Sequence, residues 1–334
     1  MIIKTAKVTE KEKIEVVEME LPILKDNNIL IKVLACGICS TEMAVFKGET
    51  IGVEGCSFHY KSYPANLGHE VVGYIEDLGP KVLNLRKGDL VSGLTYSGCG
   101  LAEFVIEPED MLIKIDQVTK GKEHQYILEP FMATTNIIHQ LKISFGDSVA
   151  IVGDGFMSML LVCMLSRYPL KNLIVVGHHD WRLDLIKRFG ASVTINSLKE
   201  NAREIITEVT NGSGVDISVE YAGSRDALIL SASICKAKVR SQLVLGSSYS
   251  NETPFVIANY LQNRAPILVP AYPHTSKNKK KDMERALWAI QNSIFPLEKL
   301  LSHKFNFSDI ALAFSKNLKR EKGFIKGLFI PKYQ

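Results

Sequence analysis

The chain has no long hydrophobic run: its longest unbroken apolar stretch, 159–165, falls far below the ~18 residues that a membrane-crossing helix needs. The start, Met1-Ile2-Ile3-Lys4-Thr5-Ala6-Lys7, lacks the apolar core of a secretory signal peptide, so a cytoplasmic protein is expected. Cysteine is sparse. The six present, at positions 36, 39, 56, 99, 163 and 235, are irregularly spaced over 334 residues and do not make the disulfide framework of a small secreted domain. Charge of one sign is also missing, since 40 Lys and Arg stand against 36 Asp and Glu for a net +4. The single basic cluster, 277–281, reads as a solvated loop, so neither a nucleic-acid nor a membrane partner is expected. No repeat or low-complexity segment is found. What remains is ordinary globular composition, 46% apolar and 23% charged, in a chain long enough for two domains.

Two patterns divide that chain. Up to about residue 125, short β-branched runs recur at 29–35, 71–76, 90–94 and 103–106, separated by turns such as Lys87-Gly88-Asp89. That pattern suits a sandwich or partly open barrel. Beyond it, strand and helix alternate. A helix is expected over 129–141, then a buried strand at 147–153 that runs into a helix over 156–167. A strand at 173–176 precedes a helix over 181–189 that stops at Gly190, a helix-ending glycine. Strands at 192–195, 216–221, 242–246 and 266–269 are interleaved with helices near 199–210, 225–237 and 254–263. The alternation predicts an α/β fold with a parallel, doubly wound sheet. A Lys-rich linker from about 275 leads to a helix over 282–292, and the last apolar run, 324–330, is placed to rejoin the first domain.

Three stretches carry chemistry. Cys36-Gly37-Ile38-Cys39-Ser40-Thr41-Glu42 follows the run 29–35, and Gly68-His69-Glu70 precedes the run 71–76. Thiolate, imidazole and carboxylate are the ligand types that zinc takes. The third stretch, Gly153-Asp154-Gly155-Phe156-Met157-Ser158, lies between a buried strand and a long helix, where a dinucleotide fingerprint belongs. Gly153 allows the tight turn, Gly155 lets backbone approach a pyrophosphate, and Ser158 is small enough for close packing. The next strand ends at Gly177 rather than at the carboxylate that holds the ribose of NAD. His178, His179 and Arg182 follow and suit a 2′-phosphate, so NADP(H) is preferred over NAD(H), while Asp180 keeps NAD open.

In combination these features resemble the zinc-dependent medium-chain dehydrogenases, the alcohol and polyol dehydrogenase superfamily. The carriers are Cys36-Gly37-Ile38-Cys39, Gly68-His69-Glu70, Glu129-Pro130, the Gly153 loop and Gly214-Val215-Asp216 leading into Val219-Glu220-Tyr221-Ala222-Gly223. The resemblance implies a GroES-like β-rich catalytic domain, 1–124 with 276–334, and a Rossmann dinucleotide-binding domain, 125–275. It implies one catalytic zinc on Cys39, His69 and Glu129, with Glu70 close to or on the metal. Cys39, His69, Glu70 and Thr41 become the catalytic residues, Thr41 moving the alcohol proton and Glu42 steadying His69. Gly153, Gly155, Phe156, Met157, Gly177, His178, His179 and Arg182 would hold the cofactor, and Lys326 matches a basic position used on the pyrophosphate. The implied reaction is reversible alcohol oxidation. A Glu129-type ligand points to a secondary hydroxyl on a polyol or sugar-like molecule, with a simple alcohol as alternative. Two further readings are a zinc-free quinone or enone reductase of the same superfamily and a non-enzymatic nucleotide binder. A homo-dimer or tetramer is expected by analogy.

The chain also departs from its relatives. Ser40 replaces an arginine that many use on the pyrophosphate, and Ala44 replaces a relay histidine. Only Cys99 falls between Val91 and Phe104, where many carry a four-cysteine lobe. One cysteine cannot build a closed tetrahedral site, so no structural zinc is expected. Cys36 is read as a small buried hydrophobe rather than a redox partner of Cys39, on the ground that no helix starts there. Cys56, Cys99, Cys163 and Cys235 are read as structural, and His59, Tyr60, Tyr63 and Asn66 as residues of the loop before His69 that could face a polar substrate.

Overall fold

A computed structural model describes residues 1–49, 63–95, 97–237, 241–247, 249, 257–271 and 276–331. Cys56, His59 and Tyr60 lie outside the described residues, as does the start of the helix expected near 254–263. The chain divides into two compact units, Met1–Met132 with Lys277–Gln334, and Ala133–Ser276.

The first unit begins with a hairpin, β1 (Ile2–Glu10) and β2 (Lys13–Glu20), turned at Glu12 in a left-handed conformation. The 11-residue β3 (Asn28–Ile38) follows, then α1 (Ser40–Phe46). The two-residue β4 (Ala65–Asn66) is followed by β5 (Glu70–Leu78), β6 (Leu90–Gly93), β7 (Phe104–Pro108) and β8 (Leu112–Lys114). Helix α2 (Leu128–Gln140) starts in this unit. β3 is the strand on which the unit is built. It pairs antiparallel with β5 and β7, and its end accepts the C-terminal strand described below. Its residues alternate inward and outward until 35–38, which are all buried, so the strand delivers Cys39 from inside the core. The run 324–330 does return to this unit.

The second unit runs β9 (Ser148–Val152), α3 (Phe156–Leu165), β10 (Asn172–Gly177), α4 (Asp180–Arg188), β11 (Val193–Asn196) and α5 (Ala202–Val209). It continues through β12 (Ile217–Glu220), α6 (Arg225–Ile234), β13 (Gln242–Leu245), α7 (Ala258–Arg264) and β14 (Ile267–Pro270). Its sheet has the order β11-β10-β9-β12-β13-β14 and every pairing is parallel. This is the doubly wound arrangement, and its central strand β9 is wholly buried because helices cover a parallel sheet on both faces.

Back in the first unit come α8 (Lys279–Gln291), α9 (Leu297–Leu300), β15 (His303–Phe305), α10 (Ile310–Lys319) and β16 (Gly327–Phe329). Helix α8 corrects the loop expected over 277–281. Asn278 accepts a hydrogen bond from the Lys281 N–H and caps the helix, so the lysines from 279 form its first turn. Helix α10 packs on α1, with the Phe314 and Phe46 rings 5.2 Å apart. No helix among the described residues is long and apolar enough to cross a membrane.

Candidate active site

Cys39 directly follows β3 and is the N-cap residue of α1. The expectation that no helix starts there is therefore wrong, because a seven-residue helix with Thr41 and Glu42 in its first turn leaves little periodic signal. Cys36 remains excluded as a redox partner. It is fully buried, and burial pushes its thiol far up, the Glu42 charge adding to that.

Glu42 is 1% exposed and serves two groups. Its Oε2 accepts the Cys39 N–H at 2.5 Å, and its Oε1 lies 2.8 Å from His69 Nδ1. Burial pushes the Glu42 carboxyl up. The His69 charge and hydrogen bond, Lys326 and the Cys39 N–H outweigh that and hold it low. For His69, burial pushes the imidazole down, but Glu42 and Cys39 raise it well above its ordinary value. Glu42 thus fixes ring orientation and enriches electron density at the opposite nitrogen.

Glu70 begins β5 directly beside Gly37 on β3. A Cβ at position 37 would stand 1.8 Å from Glu70 Oε2, so the glycine makes room for this carboxylate. Glu70 Oε1 accepts from Lys326 Nζ at 2.6 Å, while Oε2 is buried with no hydrogen-bond partner among the described residues. Lys326, expected on a pyrophosphate, is instead 4% exposed and committed to Glu70, because β16 pairs with the end of β3 and carries it there. The ligand atoms of Cys39, His69 and Glu70 all lie within 4.8 Å of one another. Sulfur, nitrogen and an unpaired buried carboxylate oxygen fit a zinc ion. Glu129, in the first turn of α2, falls outside that cluster but is buried. Burial pushes its carboxyl up to about 7, with His69 opposing and Glu70 adding to the rise. Thr41 Oγ1 is 3.6 Å from Cys39 Sγ. Tyr63 is tied down, its hydroxyl donating to the Val45 carbonyl at 2.8 Å, and Asn66 pairs with β1.

In the second unit Gly153 turns the chain at φ 131°, where a Cβ would press on the Tyr221 backbone at 2.9 Å. Gly155 caps α3, and a Cβ there would meet nothing within 4 Å, so open space lies before the helix N-terminus. Phe156 and Met157 begin that helix, and Ser158 is buried. Asp154, which sequence reasoning left without a task, turns its side chain toward the end of β10. Its Oδ2 accepts from the backbone N–H of His178 at 2.8 Å and of His179 at 2.9 Å, and lies 2.9 Å from His179 Nδ1. Arg182 Nη1 stands 3.7 Å from its Oδ1. Gly177 allows this, because a Cβ there would strike the Asp154 Cβ at 2.5 Å. Of the residues expected to stand open to a 2′-phosphate, the His179 ring and Arg182 thus already face an anion of the chain, whereas His178 gives it only its backbone N–H and keeps an exposed side chain. The readable signal was the acidic residue inside the loop together with the glycine that ends β10.

Residues 25–117 match the alcohol dehydrogenase GroES-like domain, and residues 159–288 match the zinc-binding dehydrogenase domain. The chain belongs to the zinc-dependent medium-chain dehydrogenases. Within that superfamily it is 27% identical over 275 residues to the L-threonine 3-dehydrogenase of Caldanaerobacter subterraneus subsp. tengcongensis, which covers 75% of this chain and 77% of that one. It is 25% identical over 292 residues to the sorbitol dehydrogenase of Bacillus subtilis, covering 79% and 80% of the two chains. The solved benzyl alcohol dehydrogenase from Acinetobacter calcoaceticus shares the fold, with a TM-score of 0.84 at 20% identity over 99% of this chain and 100% of that one. Membership of this dehydrogenase superfamily supports an oxidoreductase acting on CH–OH groups.

Proposed function

We propose that this protein interconverts a secondary alcohol, on a polyol or sugar-like molecule, and its ketone, using one zinc ion and a nicotinamide dinucleotide. The observation that carries the reading is the cluster of half-buried Cys39 with buried His69 and Glu70, whose Oε2 has no hydrogen-bond partner among the described residues. A zinc ion held there would supply Lewis acidity that lowers the pKa of a substrate hydroxyl toward neutrality. Cys39 and His69 would hold the ion, and Glu42 keeps His69 in the tautomer that presents its other nitrogen. Lys326 holds Glu70 by one oxygen and leaves the other for the ion. Glu129, neutral or charged near pH 7, is the further carboxyl at the site. Thr41, beside Cys39 at the start of α1, takes the hydroxyl proton and passes it on. Ala44 offers no relay group, so the proton must leave through water or another group. The Gly153 loop would hold the pyrophosphate of a nicotinamide dinucleotide, which would supply the hydride acceptor.

A polyhydroxylated substrate is favoured by Glu129 and by the likeness to sorbitol dehydrogenase. The test is metal analysis combined with variant Cys39→Ala. Zinc near one per chain is expected in the unsubstituted protein. The variant should lose both zinc and turnover while still binding NADH. Turnover retained without metal would favour a zinc-free reductase and overturn the reading. A screen of polyols and sugar derivatives, read by NAD(P)H absorbance, then narrows the substrate.

A further inference from the structure

We propose that Asp154, inside the glycine loop, selects the dinucleotide, accepting the ribose diol of NAD(H) and refusing the 2′-phosphate of NADP(H). The inference rests on the dehydrogenase reading above and specifies its cofactor. A 2′-phosphate needs donors at the second βα turn, where the N-terminus of α4 offers backbone N–H groups and a favourable dipole. Here the backbone N–H groups of His178 and His179, just before α4, are taken by Asp154 Oδ2. The His179 ring lies on the same oxygen, and Arg182 faces the other.

The turn is an anion site already filled by the chain's own carboxylate. A dianionic phosphate brought there meets that carboxylate, 5% exposed and so weakly screened by solvent. A second carboxylate, Asp180, starts α4, where the Asn196 amide and Lys199 hold it at 2.6 and 2.5 Å. A neutral ribose diol meets no such repulsion, and its hydroxyls are the donors a carboxylate wants. Asp154 Oδ1 keeps capacity to accept them, since Arg182 stands beyond hydrogen-bond distance at 3.7 Å. The usual arrangement places the acidic residue at the end of the second strand. In this chain that position is Gly177, whose missing Cβ admits the Asp154 side chain from the neighbouring loop. The carboxylate has moved in sequence and kept its place in space.

The test uses the zinc-replete full chain, titrated with NADH and NADPH and followed by protein fluorescence and calorimetry. NADH should bind about tenfold or more tightly than NADPH, the ratio that a repulsion of about 1.4 kcal/mol produces. ADP and 2′,5′-ADP should show the same order, which isolates the adenosine end from the nicotinamide. Variant Asp154→Asn keeps size and an acceptor for the two N–H groups but removes the charge, so both ratios should narrow toward unity. Equal or tighter binding of NADPH by the unsubstituted chain overturns the proposal, as does an unchanged ratio in a folded Asp154→Asn. If that variant does not fold, the ADP against 2′,5′-ADP preference of the unsubstituted chain decides alone. Binding of both dinucleotides with equal affinity removes this inference and leaves the dehydrogenase reading standing. Binding of neither removes both.

Discussion

Lys326 shows what one side chain can decide at this site. Its ammonium and the Glu70 carboxylate are both buried, at 5% and 1% side-chain exposure, and lie 2.6 Å apart. Removing one partner of a buried pair leaves the other charge uncompensated, which costs about 3–5 kcal/mol. Lys326→Met should therefore lower the unfolding midpoint clearly in a thermal melt, and an unchanged midpoint would contradict the pairing. Asp154 allows a pH test in the other unit. Burial pushes its carboxyl up, but His179 and the two backbone N–H groups more than offset this and hold it below its ordinary 3.8. A lowered pKa contributes stability that is present above the unfolded value and lost as pH falls through the folded one. The stability gap between the unsubstituted chain and Asp154→Asn should thus be constant above about pH 4–5 and shrink at lower pH, as denaturant melts across that range would read. Both residues stood in plain view in the sequence. Their partners did not, since Lys326 meets a carboxylate 256 positions earlier and Asp154 meets a turn 24 or 25 positions later.

At the scale of elements, the second unit was legible because its strands are short apolar runs and its helices carry apolar residues at helical spacing. The sequence pattern missed β1 and β2, where polar and apolar residues alternate along a hairpin and no continuous run forms. It also missed α1, whose end is set by the capping interplay of Cys39 and Glu42 rather than by periodicity. The passage from β3 to α1 carries the chemistry, and Gly37 is its tightest point. A methyl group at that position would press on Glu70 Oε2 at 1.8 Å and on Ile127 Cδ1 at 2.8 Å. Gly37→Ala should cost about 1–3 kcal/mol by overpacking and displace Glu70, so zinc affinity should fall in a competition titration against a chelator dye. Gly153→Ala acts in the other unit. Its φ of 131° and the Tyr221 backbone leave no place for a Cβ, so the variant should lose NADH binding while keeping its zinc.

For the molecule as a whole, a zinc ion that binds only the native state would add stability that grows with the logarithm of its free concentration over its dissociation constant. At a free concentration 100-fold above its dissociation constant that is about 2.7 kcal/mol. Stripping the metal with a chelator should lower the unfolding midpoint and leave NADH binding in place, because the cluster lies in one compact unit and the glycine loop in the other. An identical melt with and without chelator would speak against a resident ion. The sequence by itself determined the α/β class, the parallel sheet behind the glycine loop and the short list of ligand-type residues, because local periodicity and turn chemistry act between near neighbours in the chain. Only the tertiary structure decided which of those residues meet. It brought Glu42 to His69, Lys326 to Glu70 and Asp154 to the turn after β10, and left Glu129 outside the tight cluster. Strand pairing and burial set those encounters. A buried charge must find its counter-charge wherever the fold carries it, and sequence spacing has no means of expressing that demand.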